Sequence, residues 1–281
     1  MIEYFCVGLT ASVGYKTIKV YLCGVQYYSR MAGFPQIIAS TPRLPYVLRG
    51  IRRRQGPCFI RPKRMPITVS HLHRLHSYIE RTASIANALM LKAAILTAFF
   101  GLLRVSEYTC PSSVSFCADL QLSPASVSIN FYRGLAYLDL HASKTDPFRA
   151  GVTVRIGRTG GHLCPLLALL RYLVVRPAVR GPLFMFSNGR FLTRQHVSAL
   201  LKDCLGAQIT VDTHSLRIGG ASALAAAHTP DSIIQLLGRW RSDAFRNYIA
   251  LPDDFVRDRN IDMAYTPAAS RRWDPDTGLD P

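Results

Sequence analysis

The sequence predicts a mostly α-helical chain with one small antiparallel β-sheet, an α+β class, and three observations predict it. Apolar residues recur at three- and four-residue spacing near the start of the chain and again beyond residue 165. Three short runs between residues 126 and 156 alternate with a period of two. A basic, proline-containing stretch, residues 48–66, stands between the first helical segments and the rest.

In order, Ile18, Tyr21, Leu22, Val25 and Tyr28 place a helix over residues 16–31, with Gly33 past its end. Residues 41–53 hold a second, short helix through Leu44, Val47, Leu48 and Ile51. Residues 1–56 therefore read as a small helical domain. Its first 14 residues have room for one short helix, so a truncated start is expected.

Residues 57–66 read as the linker proper. Arg49, Arg52, Arg53, Arg54, Arg61, Lys63 and Arg64 crowd this region with Pro57, Pro62 and Pro66. Like charges and prolines favour extended chain, and such a segment suits a row of phosphates. A solvated loop is the plainer alternative. Residues 61–64, Arg-Pro-Lys-Arg, would also suit a nuclear import signal.

The second domain is expected over residues 67–265. Thr68 or Ser70 can cap a helix through Ile79, and a long buried helix spans 83–103. Residues 85–103 are apolar enough to suggest a membrane span, but Asn87 and Lys92 interrupt them and Arg104 and Glu107 follow at once. Strands are expected at 126–131, 136–141 and 151–156, the last two forming a hairpin with Lys144 near its tip. Helices follow at 166–175, 193–205, 216–227, 231–237 and 243–249, with Thr193 and Asp231 as natural N-caps. Residues 266–281 are polar and read as a disordered tail.

Composition narrows the function. The 281 residues include 34 Lys+Arg against 17 Asp+Glu, a formal net charge of +17, which calls for an anionic partner such as nucleic acid. No basic amphipathic helix with an aromatic face speaks for a membrane surface. The seven scattered cysteines include no CxxC pair and read as reduced core thiols of an intracellular protein, not a disulfide frame or zinc site. Residues 1–10 carry no basic n-region or cleavage signature, so no signal peptide is expected. No cofactor, metal, membrane or small-molecule substrate is expected.

The chemistry-bearing residues suit attack on a phosphodiester. Such a transition state places negative charge on two non-bridging oxygens, which two fixed guanidiniums can clamp. Arg217, three residues after His214, is one, and Arg104, at the end of the apolar run with Glu107 to orient it, is the other. Lys144 can protonate the leaving oxygen, His214 can move or hold a proton, and Tyr248 can be the nucleophile once cations surround it. Each has a plainer role when taken singly: a surface ion pair, a solvated turn lysine, a helix cap and a core tyrosine.

Taken together and in order, these residues resemble the tyrosine recombinase (phage integrase) family. That family has an arginine in a GLRxSE box, a lysine in a β-hairpin, an HxLR box, and LGH/W with the tyrosine nine residues on. Here the counterparts are Gly-Leu-Leu-Arg104-Val-Ser-Glu107, Ser-Lys144-Thr-Asp, His214-Ser-Leu-Arg217, and Leu-Gly-Arg239-Trp240 followed by Tyr248. Residues 48–53, Ser-Lys-Thr-Asp-Pro-Phe-Arg and Gly-Arg-Trp-Arg-Ser-Asp-Ala-Phe most resemble recombinases of DIRS-type retrotransposons and related mobile elements.

The resemblance implies a helical core-binding domain followed by a tyrosine-recombinase catalytic domain. It implies that Arg104 and Arg217 bind the scissile phosphate, that Lys144 is general acid, that His214 aids proton transfer and that Tyr248 forms a 3′-phosphotyrosine, without metal or ATP. It further implies a homotetramer on paired double-stranded DNA sites, with residues 253–264 exchanged between subunits, acting in the nucleus of a eukaryotic host or otherwise in the cytoplasm or nucleoid. The family's His/Trp position is Arg239 here, so either Arg239 adds a third cation or Trp240 donates its indole N–H. A catalytically inactive DNA-binding relic and a type IB topoisomerase-like enzyme are the alternatives.

Overall fold

The computed structural model describes residues 1–34, 38–56, 64–141, 150–206, 208–249, 255–258 and 260–261. The chain divides into two compact units, Met1–Lys63 and Arg64–Pro281.

The first unit is helical: α1 Ile2–Gly8, a 3-10 turn Leu9–Ala11, α2 Tyr15–Met31 and α3 Leu44–Gln55. Ile2, Cys6, Ile18, Leu22, Leu44 and Ile51 form its core. Buried Gln55 ties the end of α3 to the turn after α1 by donating to the carbonyls of Thr10 (3.0 Å) and Val13 (3.1 Å). The helix expected over residues 41–53 is present as α3, and it runs on to Gln55, so the extended reading of the basic stretch does not hold for its first half. Arg49, Arg52, Arg53 and Arg54 stand on α3 and are not extended, because Leu44, Ile51 and Gln55 on the same helix are packed inward. Arg52, Arg53 and Arg54 also fall in the last turn, where the helix dipole favours them. Arg61 and Lys63 lie outside the described residues.

The second unit is built on α5, Ile85–Phe100. It is apolar on every side because α4 (Val69–Thr82), α7 (Pro165–Val175) and α9 (Ser215–Ala226) pack around it. Two of its polar residues, Asn87 and Lys92, find polar partners. Lys92 pairs with Glu80 of α4, and Asn87 Oδ1 accepts from the Ser187 amide at 2.8 Å. Among the described residues, no helix is long and apolar enough to cross a membrane. Thr68 caps α4 with His71 completing a reciprocal pair of bonds, and Thr193 with His196 does the same for α8, Arg194–Leu205. α10, Asp231–Gly238, has Pro230 at its N-cap, so Asp231 is the first helical residue and not the cap.

The sheet is antiparallel, in the order β1 (Val127–Asn130), β2 (Leu135–Leu140), β3 (Val152–Gly157). Its register sets Ala136 opposite Ile156 and Leu138 opposite Val154, so buried side chains meet buried side chains on the face toward α5 and α7. The connection between β2 and β3 holds Lys144, which lies outside the described residues, as does the expected tail. Cys6, Cys110 and Cys164 are buried thiols, but Cys23 and Cys117 are exposed, so the reading of all cysteines as core residues does not hold.

Candidate active site

The site begins where α5 ends. Gly101 and Leu102 turn the chain, and Leu102 adopts a φ of 46°, a conformation that favours glycine. The box glycine of GLRxSE falls on Leu102 when counted back from Arg104, so a leucine holds the backbone shape of a glycine. Its side chain is buried, and the turn aims its carbonyl into the site. Arg104 follows as the N-cap of a one-turn helix, α6, Val105–Tyr108. Glu107 closes this turn: its Oε2 accepts from the Arg104 amide at 2.7 Å, and its Oε1 pairs with Arg104 Nη1 at 3.0 Å.

The second wall is α9. Its consecutive glycines allow direct backbone contact: a Cβ on Gly219 would collide with the Ile67 carbonyl, and one on Gly220 with the Phe99 carbonyl and the Leu102 side chain. The helix thus lies against the turn that carries Arg104. Arg217, 1% exposed, reaches out of α9 and donates to the carbonyls of Leu102 and Gly238. His214 stands at the helix N-cap.

The third wall is the end of α10. Gly238 leaves space for the indole of Trp240, which a Cβ would strike, and Arg239 caps the helix in the left-handed region at φ 58°. Arg239 Nη2 donates to Glu107 Oε2 and to the Leu102 carbonyl, both at 3.0 Å. Trp240 covers Arg217, whose Cζ is 4.4 Å from the ring centroid. A 3-10 turn, Asp243–Tyr248, then returns the chain to α9, where Ser222 Oγ donates to the Tyr248 carbonyl at 3.3 Å. The Tyr248 ring lies 4.9 Å from that of His214 and 5.1 Å from that of Trp240.

Seven residues singled out in the sequence therefore meet: Arg104, Glu107, His214, Arg217, Arg239, Trp240 and Tyr248. The described cluster holds three guanidiniums against one carboxylate, and Arg239 keeps Nε and Nη1 buried without a hydrogen-bond partner. Burial first, then Arg104 and Arg239, pushes the Arg217 guanidinium down to about 9, so it stays charged at neutral pH. Burial, followed by Arg64 and Arg217, holds the His214 imidazole below its ordinary value, so at neutral pH its ring is uncharged. Such a site has surplus positive charge for an anion and a neutral base beside a phenol. The sequence reading missed Leu102, whose contribution is a carbonyl, and Asp212, which accepts from the His214 amide at 2.7 Å and pairs with Arg64 Nε at 2.9 Å. The Asp-x-His spacing was the one sequence signal for Asp212.

No protein-family model matches the chain, and no curated protein matches it by sequence. Solved structures do match. The integrase of transposon Tn1549 (its residues 82–397), in complex with transposon right end DNA, superposes with a TM-score of 0.57 at 16% identity, covering 94% of this chain and 84% of that one. XerA recombinase superposes with a TM-score of 0.50 at 15% identity, covering 95% and 91%. XerH, bound to a palindromic difH substrate, matches over 71% of this chain at a TM-score of 0.50 and 15% identity, and this chain spans about half of that one, 52%. The fold is that of the tyrosine recombinases. Within the tyrosine recombinase fold, this chain departs from the family boxes at two positions, Leu102 for glycine and Arg239 for His/Trp, and these two residues touch through the Leu102 carbonyl.

Proposed function

We propose that the protein is a site-specific DNA recombinase that cuts and rejoins DNA through a 3′-phosphotyrosine link. The observation that carries this reading is the convergence of Arg104, Arg217 and Arg239 on the cluster in which the His214 and Tyr248 rings meet. The Tyr248 phenolic oxygen attacks the phosphorus, its proton passing to a base such as His214 or to water. The bond from phosphorus to the 5′-oxygen breaks, and that oxygen leaves as a hydroxyl after taking a proton, for which Lys144 is the candidate donor. Arg104, Arg217 and Arg239 offset the charge on the non-bridging oxygens. One phosphoester replaces another, so the energy for rejoining is retained and no ATP is required. A 5′-hydroxyl then attacks the phosphotyrosine and releases Tyr248.

The +17 charge supports double-stranded DNA as the substrate, with Arg49, Arg52, Arg53, Arg54, Arg61, Lys63 and Arg64 as contacts to its backbone. Exchange between two duplexes calls for four active sites, hence a homotetramer. The likeness of its motifs to DIRS-type elements supports a role in integration of a mobile element, in the nucleus of a eukaryotic host or otherwise in the cytoplasm or nucleoid. A duplex nicked beside the cleavage point tests the reading, because the short leaving strand diffuses away and traps the link. A denaturant-resistant protein–DNA adduct that is lost in Tyr248→Phe is the expected result. Duplex binding with no adduct would leave a DNA-binding relic.

A further inference from the structure

Asp212 sits where three features of the second unit meet. Its Oδ1 accepts from the His214 amide at 2.7 Å, its amide donates to Ser215 Oγ at 3.1 Å, and its carbonyl accepts from the Ser215 amide at 2.9 Å. These bonds fix the turn that opens α9 and with it the backbone from which the His214 side chain projects. Its other oxygen, Oδ2, is held by Arg64 Nε at 2.9 Å, with Arg194 Nη2 at 4.0 Å on the periphery. Arg64 is the last charge of the basic stretch and is 42% exposed, open to a competing anion. The chain directly after it is fastened to the same turn: the Met65 amide donates to the Thr210 carbonyl (2.9 Å) and the Ile67 amide to the Ser215 carbonyl (3.0 Å).

We propose that Asp212 is a positioning residue for His214 and that Arg64, by exchanging Asp212 for a DNA backbone phosphate, couples phosphate contact at Arg64 to the proton-transfer site. This deepens the recombinase reading and rests on it. In the absence of DNA the guanidinium shares the Asp212 carboxylate. When a phosphate takes the guanidinium, the full carboxylate charge faces the turn that carries His214 and makes its imidazole a stronger base as the substrate arrives. The charged groups around that imidazole are Arg64, Arg217 and Arg104, which disfavour its protonated form, and Asp212, which favours it. The Tyr248 ring lies edge-on beside it.

Two variants of the full-length chain carry the test, each read by the ring-proton NMR titration of His214 and by single-turnover cleavage of the nicked duplex. Asp212→Asn keeps an oxygen for the His214 amide, so the helix start survives while the charge is lost. Its His214 titration is expected to move to lower pH, and its cleavage rate at neutral pH to fall about tenfold or more. Arg64→Gln is expected to move the titration the opposite way, to higher pH. Addition of an uncleavable duplex to the wild-type protein is expected to move it in that same upward direction. If Asp212→Asn titrates and cleaves like the wild type, or if both variants shift His214 in the same direction, Asp212 is a helix cap alone and the proposal falls. Should the wild-type protein give no adduct, the recombinase reading fails separately, and the titrations, which need no cleavage, still decide the role of Asp212.

Discussion

The rings of His214 and Tyr248 stand 4.9 Å apart with their planes at 64°, one at the start of α9 and the other at the end of the last 3-10 turn. That pairing depends on three backbone devices: the left-handed turn at Leu102, the glycine pair of α9, and the left-handed cap at Arg239. Each can be perturbed without touching the two rings.

Arg217→Ala is expected to slow cleavage by about a hundredfold or more, the usual cost of removing one donor to a developing anionic charge. Duplex affinity should change much less, since phosphate contacts are spread over many basic residues. Parallel gel-shift and adduct assays check this. Loss of binding with cleavage retained would reverse the assignment.

Glu107→Gln should destabilise the second unit by about 3 kcal/mol, because it leaves Arg104 and Arg239 in a nearly buried site without their carboxylate. Urea denaturation measures the loss. Added phosphate or duplex should restore part of it by supplying the missing negative charge.

Leu102→Gly relieves a strained φ, a gain of about 1–2 kcal/mol, but empties a buried leucine site, a cost of about 2–5 kcal/mol. A net loss in thermal stability is expected. Leu102→Ala keeps the strain and loses most of the packing, so it should be less stable than Leu102→Gly. The reverse order would show that the turn is not strained.

Acid should destabilise the fold between about pH 6.5 and 4. Burial, followed by Lys92, lowers His76 to about 4, so within this window the unfolded chain binds a proton that the folded chain refuses. Stability therefore falls as pH falls through that window. His76→Gln should flatten the dependence, and melting temperatures taken across this range test it.

Arg53→Ala, on the last turn of α3, should weaken duplex binding and lower the slope of log affinity against log salt by about one. An unchanged slope would remove α3 from the DNA-contacting surface.

Much of this architecture was legible in the sequence, and the reasons are specific. α5 announced itself by an apolar run too long for a strand, and the sheet by side chains alternating over β2 and β3. The helix over residues 41–53 was legible in the spacing of Leu44, Val47, Leu48 and Ile51, but the repelling charges and nearby prolines hid its continuation past Arg53 to Gln55, which inward packing of Ile51 and Gln55 supports. The end of α5 fell at Phe100 and not at residue 103 because Leu102 takes a positive φ, which no local preference of leucine foretells. In the site, the charged boxes could be read because their spacing is fixed along the chain. The Leu102 carbonyl could not, since its aim depends on a dihedral, and neither could the contact of Arg239 with Glu107, 132 residues away. Lys144 lies outside the described residues, so its place rests on the sequence alone.

The most direct measurement is to digest the trapped protein–DNA adduct and identify by mass spectrometry the peptide that carries the nucleotide. A 3′-linked nucleotide on Tyr248 is the predicted result. A nucleotide on any other residue, or a 5′-linked one, would contradict the assignment of Tyr248 as the nucleophile among the arginines.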